Sequence, residues 1–413
     1  MTPKVEWLFI SCILKKKNRK KEFEYIMFRV KNFGPIENVE VDFGDLTIIV
    51  GPQANGKSLF LELFKLIQDK KHILTTLKKY NYIFNKSNPS HMIEDYFGEG
   101  LGGIIKDTTL AEWNGEPFSL KSLQELVSAE RSYANAAETV FYVPAQRIMS
   151  ISDGRPRNFM EFDISSPYVL RIFSETLRVF VQGGLGNPDT IFPMKSRLKG
   201  AMKQSFSDSI FHNGRVVIDQ ASGQRKMKLN VDGLNIPFMA WSAGQKEFMP
   251  LLLAIYCLSG PPTNIINKSN YKWVVIEEPE MGLHPKAIQS VLLEIIELMQ
   301  LGYKVIISTH STTPLEFAWA LNAIKDNPDA DMHTAMSELF GVKPGSTAAT
   351  LFDKLRENTV KTYYFSSKSK DGGVKAYDIS SLDAASDNPD VADWGGLSLF
   401  SGKSADVVYK YAK

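Results

Sequence analysis

Residues 51–58 fit the spacing G-x-x-x-x-G-K-[ST] and lie between a predicted strand and a predicted helix. Residues 45–50 are a β-branched apolar run, and residues 59–67 have the spacing of an amphipathic helix. A glycine-rich loop between a strand and a helix lets backbone N–H groups surround phosphate oxygens. The chain is therefore predicted to fold around a phosphate-binding loop and to bind a nucleoside triphosphate.

The residue types in this loop have separate expected roles. Lys57 is expected to neutralise the β- and γ-phosphates, and the Ser58 hydroxyl is expected to bind magnesium. The other predicted nucleotide-binding residues of the loop are Gly51, Gln53, Ala54, Asn55 and Gly56.

The composition is that of a soluble globular protein. A chain of 413 residues with 44% apolar content can form one large α/β domain with insertions, or two smaller domains. Its 48 Lys and Arg against 46 Asp and Glu leave a formal charge of +2, so any DNA contact must be a local patch. Only two cysteines occur, Cys12 and Cys257, and Cys257 lies in an apolar run. A buried thiol in a reducing compartment is expected, hence a cytoplasmic protein.

The N-terminal residues lack a regular pattern before Met27. Residues 5–14 are too short to span a bilayer, and the basic run 15–21 follows them instead of preceding them as in a secretion signal. Residues 1–26 are interpreted as a start-site artefact or a disordered tail, with a membrane-surface anchor as the less favoured alternative.

The remaining chain divides into three predicted parts. Residues 70–210 are interpreted as a mainly helical insertion, and alternating runs between residues 215 and 236 predict an antiparallel β-meander. Residues 321–413 are interpreted as a C-terminal α/β extension packed on the core. The sequence of residues 396–404 is similar to a second phosphate loop, but its first glycine is one position too far from its second glycine.

Polar residues follow several predicted apolar elements. Glu277 and Glu278 end the apolar run 273–276, and carboxylates at such a strand tip can hold magnesium through water or orient an attacking water. His310 ends another apolar strand, where it can sense or stabilise a γ-phosphate. Ser242 and Gly244 begin a long apolar helix and suit a second phosphate contact. Taken singly, each has a structural alternative: a helix cap, solvated carboxylates or a core histidine.

In order and spacing, these segments resemble the Walker A, signature, Walker B and switch-histidine motifs of ABC-type ATPases. The resemblance covers about residues 27–320. The sequence EEPE at 277–280, followed by LHP at 283–285 and preceded by NFGP at 32–35, is more similar to the OLD-like and SMC/RecF-like branch than to transporters. The resemblance implies an α/β fold with a mixed central sheet, an antiparallel β subdomain and an inserted helical lobe.

The resemblance also implies a role for each matching residue. ATP and Mg²⁺ are the implied ligands, with Ser58, Glu277 and Gln146 at the metal. The implied catalytic residues are Glu278, as the base, and His310. The implied signature residues are Ser242, Gly244 and Gln245. Trp241 and Ala243 stand where transporter ATPases favour Leu and Gly, and Glu277 stands where many families use Asp, so slow or conditional hydrolysis is expected.

The implied assembly is a homodimer that encloses two ATP molecules, with a larger oligomer left open. Residues 315–413 contain no acidic cluster of the TOPRIM type and no HNH-like histidine pairing, so an effector is expected to be a separate nuclease or toxin. The leading interpretation is the ATPase subunit of a prokaryotic anti-phage defence system. A RecF/SMC-like DNA-repair ATPase that clamps duplex DNA is the alternative, and a transporter subunit is disfavoured. No membrane partner is expected.

Overall fold

The computed structural model describes residues 26–84, 90–128, 136–186, 189–194, 196–220, 225–367 and 372–412. Apart from Ile26, the predicted N-terminal extension lies outside the described residues, as does Cys12. Cys257 is buried and free, as its apolar surroundings predict, and burial raises the pKa of its thiol.

The described residues contain sixteen strands. They are β1 (Met27–Phe33), β2 (Ile36–Asp42), β3 (Leu46–Val50), β4 (Ile105–Trp113), β5 (Glu116–Phe118), β6 (Val140–Val143), β7 (Ile151–Ser152), β8 (Arg155–Pro156), β9 (Thr190–Phe192), β10 (Arg215–Asp219), β11 (Lys226–Val231), β12 (Leu234–Pro237), β13 (Trp273–Glu277), β14 (Lys304–Ser308), β15 (Val360–Ser366) and β16 (Val374–Asp378).

The same residues contain eleven α-helices. They are α1 (Lys57–Lys79), α2 (Ser90–Phe97), α3 (Leu120–Ser128), α4 (Tyr168–Val179), α5 (Gly200–Phe206), α6 (Ala243–Ser259), α7 (Pro285–Gln300), α8 (Thr313–Asp326), α9 (Met332–Leu339), α10 (Pro389–Ala392) and α11 (Leu399–Tyr411). No helix in these described ranges has both the length and the apolar character needed to cross a bilayer. The imitation phosphate loop at 396–404 runs into α11 and has no strand before it.

Ten strands form the central sheet, in the order β5-β4-β1-β2-β16-β15-β3-β14-β13-β6. The strands from β15 to β6 pair in parallel, as do β2 and β16, whereas the remaining pairs are antiparallel. The predicted mixed sheet is confirmed. Every residue of β3 and β13 is buried, as expected for parallel strands covered on both faces.

The parallel strands bring the sequence motifs to one edge of the sheet. Ile49 of β3 pairs with Ser308 of β14, and Ser308 pairs with Glu277 of β13. Ile276 pairs in turn with Val143 of β6. Because parallel strands end at the same edge, the segments that follow these four strands lie side by side.

Two hydrophobic clusters lie on the two faces of this sheet. Leu46, Ile48 and Val50 of β3 belong to one cluster, together with α6 and α7, whereas Ile49 belongs to the other, together with α1. This division follows from the alternation of side chains along a strand. A helix layer on each face therefore holds the edge that carries the motifs.

A second sheet has four antiparallel strands, in the order β12-β11-β10-β9. Its strands β10, β11 and β12 correspond to the predicted meander between residues 215 and 236, which confirms the antiparallel subdomain. The start of α6 follows this sheet, and the Trp241 indole N–H donates to Ile236 O at 3.1 Å. The subdomain therefore supports the segment that resembles a signature.

Two segments differ in form from their sequence interpretation. Residues 70–210 contain six strands beside their helices, and one of them, β6, belongs to the central sheet. In the segment 321–413, β15 and β16 are inserted into that sheet between β2 and β3. Local periodicity identifies a strand but not its neighbours, since pairing between distant segments depends on the whole fold.

A buried ionic network joins the middle of α1 to the start of β6. Lys65 Nζ lies 3.0 Å from Asp69 Oδ2 and 2.8 Å from Glu138 Oε1, and it donates to Val140 O at 2.7 Å. Asp69 also accepts from Thr139 N at 2.8 Å, and its backbone leaves helical geometry there. This network fixes the phosphate-loop helix against the strand that precedes Gln146.

We expect Lys65→Ala to destabilise the fold strongly, because two carboxylates lose a buried cation. Breaking a buried pair from one side costs about 3–5 kcal/mol. Arg29→Ala is the matched control, since its pairs with Glu40 and Glu112 are more than a third exposed and such pairs contribute about 0–1 kcal/mol. Denaturant melts would measure both. Equal losses in the two variants would contradict a stabilising role for the network.

Candidate nucleotide-binding site

The loop at residues 51–56 leaves β3 and ends where α1 begins. Gly56 precedes the helix with φ of 73°, and a Cβ at this position would lie 2.9 Å from Pro35 Cγ. A Cβ on Gly51 would lie 2.4 Å from Phe365 O. Both positions therefore require glycine, as a loop that wraps a phosphate does.

The Lys57 ammonium folds back over this loop. Lys57 Nζ donates to Gly51 O at 2.7 Å and to Pro52 O at 2.8 Å. Burial lowers the pKa of Lys57, while the carboxylates of Glu278 and Glu277 act in the opposite direction. The charge is thus held at the mouth of the loop, where phosphate oxygens would meet the N–H groups at the start of α1.

Glu277 is a buried carboxylate at the end of β13. Its Oε2 accepts a short hydrogen bond from Ser58 Oγ, and its Oε1 accepts one from the Tyr142 hydroxyl at 2.7 Å. Burial raises the pKa of Glu277, whereas the bonds from Ser58, Tyr142 and the Ala145 backbone N–H lower it. The structure thus joins two of the predicted metal ligands directly.

The donors at this point suit magnesium, which prefers oxygen ligands and binds through few protein groups beside phosphate oxygens. Ser58 and Glu277 supply a hydroxyl and a carboxylate, and a cation beside Glu277 would favour its charged form. Among the described residues, no group of three or more His, Cys, Asp and Glu could hold a metal. Magnesium keeps several water or phosphate ligands, so Ser58 and Glu277 would supply part of its coordination shell.

Glu278 and His310 lie side by side at the same edge. His310 Nε2 is 3.7 Å from Glu278 Oε1, and both side chains are about one-third exposed. Glu278 has φ of 45°, a left-handed conformation, and its N–H donates to Ser308 O at 2.8 Å. Glu280 accepts from His310 N at 2.6 Å and from Thr309 Oγ1 at 2.7 Å. The predicted base and switch histidine therefore share one water-accessible position.

The predicted signature residues start α6. Ser242 is the N-cap, its Oγ accepts from Gln245 N at 3.2 Å, and Gln245 Oε1 accepts from Ser242 N at 3.1 Å. Gln245 Nε2 also donates to Ile210 O. This capping box is the structural alternative raised by the sequence, and it coexists with an exposed Ser242 side chain.

The described side-chain hydrogen bonds of the signature residues go to segments other than the phosphate loop. None of the side-chain hydrogen bonds described for Ser242 or Gln245 reaches residues 51–58. Gly244 packs instead against the turn that follows Glu277 and Glu278, since a Cβ on Gly244 would lie 2.5 Å from Gly282 O. Gln146 follows β6 at the motif-bearing edge and is exposed, and its role at a metal stays a prediction.

Residues 194–316 match the family described as "AAA domain, putative AbiEii toxin, Type IV TA system". The match spans the predicted signature, Glu277, Glu278 and His310. A stretch of 124 residues, 30% of this chain, is 29% identical to the "Old nuclease" of Escherichia phage P2 and spans one-fifth of that protein's length. The chain is thus similar in part to this AAA domain family and to the phage P2 Old protein.

Two similar solved structures are an SmcHead bound to the C-winged helix domain of ScpA and a dimeric bacterial ABC transporter cassette. The first is 13% identical with a TM-score of 0.37, and the likeness covers 86% of this chain and 97% of that one. The second is 11% identical with a TM-score of 0.30, and the likeness covers 70% and 91%.

The site has contacts that the sequence motifs did not indicate. Tyr142 lies in β6 and holds Glu277, and Asn55 Nδ2 donates to Phe365 O at 3.0 Å from the phosphate loop. Glu280 positions His310, and Arg147 bonds to the backbone of Glu277. Arg147 and Glu280 adjoin motif residues in sequence, which is a weak signal. Tyr142 and Phe365 lie on other strands and carry no local signal.

Tyr142→Phe is expected to shift magnesium-dependent nucleotide binding to higher pH. The hydroxyl lowers the pKa of Glu277, so its removal raises that pKa and reduces the fraction of the ionised carboxylate at a given pH. A hydrogen bond to a charged group contributes about 1.5–3 kcal/mol, equivalent to at least about tenfold more magnesium at half-saturation. Fluorescent-nucleotide titrations over pH and magnesium would measure this. Tyr364→Phe, on strand β15 of the same sheet, is the control, and identical pH profiles for Tyr142→Phe and the wild type would refute the role.

Proposed function

We propose that this chain is an ABC-type ATPase that binds and hydrolyses ATP and acts as a dimeric nucleotide switch. The observation that carries the proposal is the contact of Ser58, from the phosphate loop, with Glu277, beside the Glu278 and His310 pair. Phosphate-binding, metal-binding and water-activating groups thus meet at one edge of the sheet. Together, such groups can catalyse the transfer of the γ-phosphoryl group of ATP to water.

The protein groups have distinct tasks in this reaction. The loop N–H groups and Lys57 bind and neutralise the phosphates, and Glu278 accepts a proton from the attacking water. His310 lies beside Glu278 and orients the γ-phosphate region. Ser58, Glu277 and Gln146 would hold magnesium, which neutralises charge on the phosphate oxygens.

We further propose a homodimer, which the exposed position of Ser242 supports. Ser242 is exposed and makes no described side-chain contact with its own loop, so it is available to the ATP of a second copy. Contacts with a γ-phosphate exist only before hydrolysis. ATP therefore favours the closed dimer, and ADP releases it.

The biological role that we propose is an ATPase subunit of a prokaryotic anti-phage defence system, acting in the cytoplasm on a separate nuclease or toxin. The family description names a toxin of a Type IV TA system, and the phage P2 relative is named a nuclease. The similarity to that relative spans only one-fifth of its length, so its nuclease activity is not transferred to this chain.

Lys57→Ala is expected to weaken ATP binding by a factor of about 30 or more, because truncating one member of a desolvated charge pair costs at least about 2 kcal/mol. Calorimetric titration with ATP would measure it. Lys226→Ala makes the same change on the second sheet, where Lys226 bonds to Asp153, and should bind ATP normally. Retention of affinity in Lys57→Ala would exclude the loop as the phosphate site.

Glu278→Gln is expected to lower ATP turnover by about 10²–10⁴-fold while ATP binding persists, since the amide cannot accept the proton. Light scattering should then show a dimer that requires ATP. Glu112→Gln, on an exposed strand face, is the matched control. Normal turnover in Glu278→Gln would exclude Glu278 as the base.

Duplex DNA added to the same assays separates the proposed role from DNA clamping. Turnover that is indifferent to DNA supports a switch that acts on a protein partner. Turnover that DNA stimulates, and that disappears in Glu278→Gln, would replace the proposed role with a DNA-clamping ATPase.

A further inference from the structure

Arg147 is a fully buried arginine that follows Gln146 and opens the short helix Arg147–Ser150. All three of its described side-chain hydrogen bonds go to backbone carbonyls. Its Nε donates to Glu247 O at 3.1 Å, and its two terminal nitrogens donate to Glu277 O at 2.9 Å and to Glu278 O at 3.0 Å.

These carbonyls belong to two separate parts of the site. Glu247 lies near the start of α6, five residues after Ser242, whereas Glu277 ends β13 and Glu278 follows it directly. One planar guanidinium therefore connects the signature helix to the carboxylates at the metal and the attacking water. The fork of an arginine holds several acceptors in fixed geometry, which a lysine cannot do.

The bond to Glu278 O acts on a strained residue. Glu278 has φ of 45°, its N–H is bonded to Ser308 O, and its carbonyl also accepts from Met281 N at 3.0 Å. A non-glycine residue keeps a left-handed conformation only when its surroundings impose it. Arg147 supplies part of that constraint and so contributes to the direction of the Glu278 side chain.

Carboxylates surround the Arg147 guanidinium and favour its charged form. Burial lowers the pKa of Arg147, and the carboxylates of Glu247, Glu280, Glu278 and Glu277 oppose that change. The contact of Gly244 with Gly282 O forms a second junction between the same two segments. The start of α6 is thus attached to residues 277–282 through the Arg147 side chain and through close backbone packing of Gly244.

We propose that Arg147 is a positioning residue that makes the signature helix and the Glu277–Glu278 segment move as one unit. This inference rests on the proposed function, in which Ser242 contacts the ATP of a second copy. Closure of the dimer at the signature then sets the position of Glu278 in the same chain. Binding of nucleotide by the loop does not depend on Arg147.

The test compares full-length Arg147→Lys with Arg171→Lys. Arg171 is the matched control because it is also fully buried and donates to the Tyr82 hydroxyl, in the segment after α1, and to Asp95 O on α2. Three quantities are measured in each: affinity for a fluorescent ATP analogue, kcat and melting temperature. ATP-dependent dimerisation is measured in a Glu278→Gln background.

Arg147→Lys should keep ATP affinity within about twofold, because the loop is intact, and lose about 10–100-fold in kcat, as expected for a misplaced catalytic group. ATP-dependent dimerisation should weaken in parallel. Arg171→Lys should lower the melting temperature and leave kcat and dimerisation unchanged. Unchanged kcat and dimerisation in Arg147→Lys would overturn the inference, as would equal kcat losses in both arginine variants.

Hydrogen exchange on the Glu278→Gln chain tests the same idea with Arg147 in place, so it does not depend on the folding of an Arg147 variant. ATP should protect residues 243–249 and 276–282 together, and protection of one segment alone would refute the coupling. Failure of the proposed function is distinguishable, since the chain with native Arg147 would then show neither turnover nor ATP-dependent dimerisation.

Discussion

The buried Glu277 carboxylate is the interaction on which the arrangement of the site depends. Ser58 reaches it from α1 and Tyr142 reaches it from β6, so one side chain of β13 joins three elements. Such a carboxylate is stable only when its oxygens are hydrogen-bonded, because burial alone favours its neutral form. The same oxygens are those that a magnesium ion would require. The position of the Glu277 carboxylate that satisfies its hydrogen bonds is thus also the position from which it would bind a magnesium ion.

The C-terminal segment completes the phosphate loop instead of only covering the core. Strand β15 pairs with β3, and Phe365 at its end accepts from Asn55. The same carbonyl leaves no space for a side chain on Gly51. A loop that binds phosphate through backbone N–H groups must be held rigidly, and here the constraint comes from a strand some 310 residues away in the chain.

Two buried cations, Lys65 and Arg147, lie near the two ends of strand β6. Lys65 lies between carboxylates near the middle of α1, whereas the described side-chain hydrogen bonds of Arg147 go to backbone carbonyls of α6 and of residues 277 and 278. The lysine network fixes where β6 starts, and the arginine lies just after β6 ends. The short strand β6 is therefore anchored at both ends, which keeps Tyr142 aligned with Glu277.

The sequence by itself determined the phosphate loop, the paired carboxylates and the strand that carries His310, because each depends on local chemistry next to a recognisable strand or helix. It also indicated the mixed sheet and the antiparallel meander, since the periodicity of apolar residues is local. Only the tertiary structure decided that β15 and β16 enter the central sheet, that Tyr142 holds Glu277, and that Arg147 links α6 to β13. These contacts join segments about 100 residues or more apart in the chain, and a local pattern carries no information about which distant strand or carbonyl a side chain will meet.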